Sequence, residues 1–286
     1  MSGDVVNTEQ GNDIVLGDSG VATFNSDLDN LNDDSHIGIL RSIHTIAPSI
    51  GGDDVINTDE GTDIILGGSA DDTITTYSFH ESDRDIVLGD NGEVIFIENG
   101  HISTATSWDP AIGGRDMIYT GNGNDIVFGG NDNDLIETQS NLASDSDKDI
   151  VTGDSAFAVF DNTGVLLSVT TDLTESGQSQ PATDIGGDDV ITTGSDIDVV
   201  IGGAEKDTIT TGSDDDYVLG DNGRLLTTVN DDDSSTVDRL ITIAPNHGSD
   251  DIIRSGSEYD VVIGGTANDE IHGGDHHDIL LGDHGL

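Results

Sequence analysis

The sequence predicts an all-β fold of the solenoid class, a stack of very short parallel strands, and three observations predict it. Aspartates recur nine residues apart, as at Asp189, Asp198, Asp207 and Asp216 within GGDDVITTGSDIDVVIGGAEKDTITTGSDDDYVLGDNG (residues 186–223). An aliphatic residue stands two positions after each: Ile191, Val200, Ile209 and Val218. The run from one aliphatic to the next aspartate, such as Thr193-Gly194-Ser195-Asp196, is small and turn-prone. Each unit therefore reads as a turn, a carboxylate and a three-residue strand with one apolar side chain pointing inward. Such a strand buries nothing alone. Coils stacked at roughly 4.8 Å give two small parallel sheets with an aliphatic interior.

The register runs the length of the chain. Its aspartates are Asp4 and Asp13; Asp54, Asp63, Asp72 and Asp85; Asp116, Asp125, Asp134 and Asp149; Asp189, Asp198, Asp207 and Asp216; and Asp251, Asp260, Asp269 and Asp278. In all eighteen units the residue two positions on is aliphatic, from Val6 and Val15 to Ile271 and Leu280. The unit resembles the nonapeptide of the RTX (haemolysin-type) calcium-binding repeats, G-G-x-G-x-D-x-(aliphatic)-x. One such motif is a weak signal; eighteen in phase are a strong one. The resemblance implies a parallel β-roll, with two nonapeptides per coil and calcium held in the turns by the eighteen aspartates. Calcium takes six to eight oxygens, and glycine-rich turns free backbone carbonyls to join the carboxylates. Asp198 and Asp216 are expected to flank one ion, Asp189 and Asp207 another.

The chain departs from the pattern in places. The glycine before the aspartate is replaced by Ala70, Asp132, Asp196, Glu205 and Asp214, turns expected to gain a carboxylate and lose a backbone ligand. Two turns are lengthened, with spacings of thirteen (Asp72 to Asp85) and fifteen (Asp134 to Asp149), and are expected to be the weakest calcium turns.

Residues 1–286 form one continuous array: a partial block at 1–20, then blocks at 51–92, 113–156, 186–223 and 248–285. Between them lie excursions at 21–50, 93–112, 157–185 and 224–247. Recurring turns precede the excursions: Gly17-Asp18-Ser19-Gly20, Gly89-Asp90-Asn91-Gly92, Gly153-Asp154-Ser155-Ala156 and Gly220-Asp221-Asn222-Gly223. Pro48, Pro110, Pro181 and Pro245 stand shortly before each return, where a missing ladder donor is tolerated. Inside, the pattern is strand–turn–strand: Val94 to Ile97, then Glu98-Asn99-Gly100, then Ile102. A full block is two coils, an advance of roughly 9.6 Å, which is also the width of a two-stranded hairpin. Successive hairpins are therefore expected to pair edge to edge as one antiparallel sheet, covering edges that are marginal and aggregation-prone alone.

Composition bounds the function. A net charge of −50, from 58 acidic and 8 basic side chains, excludes direct binding to nucleic-acid phosphates or anionic lipid. Acidity with 33% hydrophobic residues fits a disordered tail, but periodic apolar residues do not. With no cysteine, bound metal is the expected staple. No apolar run is long enough to span a membrane. The chain opens and closes within repeats, the expectation for a piece of a larger exported bacterial protein, so the lack of a signal peptide at Met1 carries little weight. No cysteine nucleophile, Gly-x-Ser-x-Gly elbow or H-E-x-x-H helix is present, and no catalysis is expected. His272, His276, His277 and His284 read as surface residues, Trp108 as hairpin packing.

The expected role is a calcium-binding structural segment of a secreted or cell-surface protein, such as an adhesin, which crosses the membrane unfolded and folds on meeting calcium. Roughly eight to twelve ions are expected, since the excursions open every other turn of one column. Neighbouring repeats of the parent protein are the expected partners, a surface ligand or self-association being further options. Two alternatives remain: a secretion and folding module of an exported hydrolase, and an ice- or polysaccharide-binding solenoid. The last needs a flat outward ladder of threonine or aromatic residues, hinted at by Thr75-Thr76, Thr192-Thr193 and Thr210-Thr211 but broken by Asn57, Tyr119 and Arg254.

Overall fold

A computed structural model describes residues 3–25, 39–78, 83–139, 148–177, 185–227 and 237–283; Pro181 and His284 lie outside the described residues. The strands lie in three sheets. An outer sheet of nine parallel strands runs from Val5–Asn7 to Glu270–His272, and a middle sheet of nine parallel strands from Ile14–Leu16 to Ile279–Asp283. Consecutive nonapeptides alternate between these two sheets, so two units close one coil.

The registers align the repeat aliphatics directly, Val6 with Ile56, Ile74 and Ile118 in the outer sheet and Val15 with Ile65 and Val87 in the middle one. Facing one another across the roll, they form a single core in which Ile56, Ile74, Val127, Val200, Ile209 and Val218 are fully buried.

The flanking residues of each strand decide what lies outside the roll. Side chains alternate across a strand, so in Ile64-Ile65-Leu66 only the middle one enters the roll. Ile64 and Leu66, like Ile126 and Phe128, point the other way into a second core. That core is completed by Ile43, Val94, Ala105, Ala158, Val169 and Leu225 of the third sheet. Outer-sheet strands such as Thr73-Ile74-Thr75 carry polar flanks, which face solvent instead. Middle-sheet strands such as Ile64-Ile65-Leu66 and Ile126-Val127-Phe128, apolar at all three positions, are buried on both faces.

The third sheet has eight antiparallel strands and is built from the excursions. Hairpins pair within themselves and with each other: Leu40–Thr45 with Gly92–Phe96, Ile102–Ser107 with Phe157–Phe160, and Leu166–Thr170 with Gly223–Leu226. It covers the middle sheet along its length. Two details correct the sequence reading. Trp108 is 45% exposed and does not pack the hairpins; its backbone N–H donates to the Asn91 carbonyl (2.7 Å) at the hairpin neck. Thr76, Thr193 and Thr211 are buried in turns, which leaves only Thr75, Thr192 and Thr210 of the threonine pairs on the outer face. Pro48, Pro110 and Pro245 occupy the second position of β-turns closed by Ile50, Ile112 and His247, where a fixed φ is favoured.

Candidate metal centre

The turns stack into two columns, and a hydrogen-bonded aspartate ladder runs down each. In one, the Asp4 N–H donates to Asp54 Oδ1 (2.6 Å), Asp54 to Asp72 (2.7 Å), Asp72 to Asp116 (2.8 Å) and Asp116 to Asp134 (2.8 Å). The same step continues through Asp189, Asp207 and Asp251 to Asp269. In the other, Asp13, Asp63, Asp85, Asp125, Asp149, Asp198, Asp216, Asp260 and Asp278 are joined likewise. Every aspartate singled out from the sequence is therefore a rung. The expected pairs are adjacent rungs: Asp189 N–H to Asp207 Oδ1 and Asp198 N–H to Asp216 Oδ1, each 2.9 Å.

One carboxylate oxygen is thereby used and the other is not. At Asp54, Asp72, Asp116, Asp134, Asp189, Asp207 and Asp251 Oδ2 is buried with no hydrogen-bond partner, and at Asp63, Asp85, Asp125, Asp216 and Asp260 of the second column the buried Oδ2 has at most a threonine or serine hydroxyl of its own turn beside it. These side chains are at most 3% exposed. A buried polar atom without a partner costs about 1–3 kcal/mol, more when charged, and a row of them demands an explanation. Only the end rungs, Asp4, Asp13, Asp269 and Asp278, reach solvent.

Burial, first of all, drives the carboxyl groups toward the neutral form. Asp72 and Asp251 are pushed up to about 8, Asp85 to about 8 and Asp216 to about 9, from an ordinary 3.8. Neighbouring rungs add repulsion: Asp54 on Asp72, Asp125 on Asp85, Asp198 on Asp216. Backbone N–H groups from the preceding rung pull the other way and do not offset burial. At neutral pH such carboxyls hold a proton or a cation.

The columns differ in the first residue of the turn. The column that carries the excursions begins its turns with Gly17, Gly67, Gly89, Gly129, Gly153, Gly202, Gly220 and Gly264. Any side chain there would overlap the Oδ2 of that turn's aspartate and the carbonyl of the next glycine down, as Gly153 does with Asp189 Oδ2 and Gly202 O. In the other column the first residue is Thr8, Thr58, Thr76, Thr120, Thr138, Thr193, Thr211 or Ser255, with Gly273 last. Its hydroxyl pulls down the pKa of the rung in the same turn, Thr58 on Asp63, Thr76 on Asp85 and Thr211 on Asp216. The single proton of the Thr211 hydroxyl goes either to the rung or to the Ser255 carbonyl (3.1 Å), and that of Ser255 either to its rung or to the Gly273 carbonyl (3.2 Å).

The replaced glycines cost the turns no backbone geometry. Ala70, Asp132, Asp196, Glu205 and Asp214 all adopt left-handed φ, from 63° to 83°. Asp132, Glu205 and Asp214 are exposed, though Asp132 still repels Asp90 and Asp189, and Glu205 repels Asp154. The segments 79–82 and 140–147 of the lengthened turns lie outside the described residues, but Asp85 and Asp149 keep their rungs.

Among the described residues no three His, Cys, Asp or Glu side chains converge on one point. A cation held in a turn would draw its charge from one or two rungs and its other ligands from backbone carbonyls, an oxygen-rich set that suits calcium. The family model for the RTX calcium-binding nonapeptide repeat matches residues 3–23, 51–76, 113–137, 192–224 and 255–285. The chain carries RTX repeats across these segments. No curated protein and no solved structure matches the chain. No described helix is long and apolar enough to cross a membrane.

In the last RTX units His272 lies 2.8 Å from Glu270, and the exposed His276 and His277 flank the Tyr259 ring at 6.1 and 6.3 Å. Sequence reasoning missed Asp18, Asp90, Asp154 and Asp221 as members of the column. The last three are at most 5% exposed and lie against the rungs, repelling Asp116, Asp189 and Asp251 respectively where they adjoin. Their signal was present as the recurring Gly-Asp before every excursion.

Proposed function

We propose that this RTX array is a calcium-stiffened structural segment of a secreted or cell-surface protein, non-catalytic, and folded by the ions it binds. The buried Oδ2 atoms carry this reading: seven in the glycine column have no partner, and five in the threonine column have at most a neighbouring hydroxyl. Each is a charge or a proton placed where water cannot reach, and a divalent cation shared between a rung and turn carbonyls satisfies both needs. The rungs singled out above are the carboxylate ligands, and roughly eight to twelve ions per chain is the proposed load. A calcium-poor compartment leaves the acids to repel one another, so the chain stays extended until it meets millimolar calcium.

Calcium calorimetry with far-ultraviolet circular dichroism tests this. The expected result is a β spectrum that appears cooperatively with calcium and disappears in chelator. A β spectrum that persists in excess chelator at pH 9, where the buried carboxyls must ionise, overturns the reading.

A further inference from the structure

Each excursion interrupts a turn inside the nonapeptide, not between nonapeptides. Gly89 and Asp90 are the first two residues of one turn, and Gly114, Arg115 and Asp116 are its last three; the hairpin lies between. The intact turns of the same column tighten through left-handed residues at positions two and four, for example Gly130 (φ 128°) and Asp132 (φ 73°). In the interrupted turns those positions are Asp18 and Gly52, Asp90 and Gly114, Asp154 and Gly187, and Asp221 and Ser249, none of them left-handed.

A carboxylate takes over the closure. Asp90 Oδ1 accepts from the Gly114 N–H (2.9 Å), across the break, and its Oδ2 accepts from the Asn131 N–H of the intact turn one coil on. Asp154 does the same with Gly187 (3.2 Å) and Ala204, and Asp221 with Ser249 (3.1 Å) and Thr266. Asp18 accepts from Ser69 (2.7 Å). The glycines these carboxylates touch leave no room for a Cβ: Gly113 and Gly130 against Asp90, Gly186 and Gly203 against Asp154.

The closed turns present the same empty acceptor as the intact ones. Asp54, Asp116, Asp189 and Asp251 are at most 3% exposed, and each aims a partnerless Oδ2 at the first glycine of its own interrupted turn, Gly17, Gly89, Gly153 and Gly220. The intact turns do this with Asp72 at Gly67, Asp134 at Gly129 and Asp207 at Gly202.

We propose that Asp90, Asp154 and Asp221 reclose the turns that the hairpins open, so that these turns are complete calcium sites and the glycine column binds without gaps from Gly67 onward. The inference rests on the calcium reading above. It gives the second-position aspartate a positioning role: both its oxygens hold backbone N–H groups, and the free oxygen for the ion comes from the rung.

Trp108, the sole tryptophan, is bonded through its backbone to Asn91 beside Asp90 and so reports one interrupted turn. Terbium, a calcium substitute whose emission is sensitised by a nearby indole, is the probe, added to the full chain and excited through tryptophan. Strong sensitised emission, displaced by calcium, is expected. Asp90→Asn should cut it several-fold, because an amide must turn a donor toward one of the two N–H groups. Absent tryptophan-sensitised emission in the unaltered chain, while tyrosine-sensitised emission and calcium binding persist, overturns the proposal without recourse to a variant. Unchanged emission in a folded Asp90→Asn chain overturns it as well. A chain that binds neither ion overturns the calcium reading itself.

Discussion

The two turn columns share a backbone ladder and an aspartate rung, and they differ in what stands opposite the rung's second oxygen. In the glycine column it meets bare backbone, with the carbonyl of the next turn crowding the same glycine. In the threonine column it meets a hydroxyl that already eases its charge. A hydroxyl is a partial partner; bare backbone is none. The comparison teaches that one repeat can be tuned at a single position, leaving strand, rung and core unchanged. Among the described residues the hairpins leave from the glycine column, where a second-position aspartate reaches across the break.

The largest expected effect is one the columns share, and it bounds how far they can differ. In cation-free protein the folded carboxyls hold protons to higher pH than unfolded ones. Their contribution to stability is therefore present below about pH 4 and is lost as pH rises through the values near 8 and 9 of Asp72, Asp251 and Asp216. Circular dichroism in chelator should show β structure gained on acidification and lost toward pH 9. A cation-free chain better folded at pH 8 than at pH 4 would show that burial does not govern these rungs. Added calcium should shift the transition to higher pH and release protons.

Next in size is a direct contrast between the first residues of the turns. Gly153→Ala drives a methyl group into Asp189 Oδ2 and the Gly202 carbonyl, and should cost about 3 kcal/mol in saturating calcium together with about one ion. Thr211→Ala removes one hydrogen bond to the Ser255 carbonyl and should cost about 1 kcal/mol with the ion count kept. Thermal melts paired with equilibrium calcium counting read both, and equal losses would erase the distinction between the columns.

The smallest effect concerns the fourth turn position. Asp214 is exposed and held at φ 81°, a conformation glycine adopts freely. Asp214→Gly should raise stability by about 1 kcal/mol without changing calcium stoichiometry. Loss of an ion would show that its carboxylate reaches into the column after all.

Much of this was legible in the sequence because a nonapeptide is a local object. Asp207 and Ile209 announce a rung and a core position from two residues of separation, and the same spacing in every unit fixes the register of both parallel sheets. The pairing of hairpins followed from equal lengths, two strands against two coils. What the sequence alone determined is thus the period, the ladders and the roll core. Tertiary structure decided which sheet the hairpins cover, although the triply apolar strands such as Val199-Val200-Ile201 carried that signal unread. It also decided the role of Asp90, whose partners Gly114 and Asn131 lie 24 and 41 residues away and are brought to it only by the stacking of coils. A hydrogen bond between segments so far apart leaves no spacing to read, because the chain between them is free in length and only the fold sets the distance.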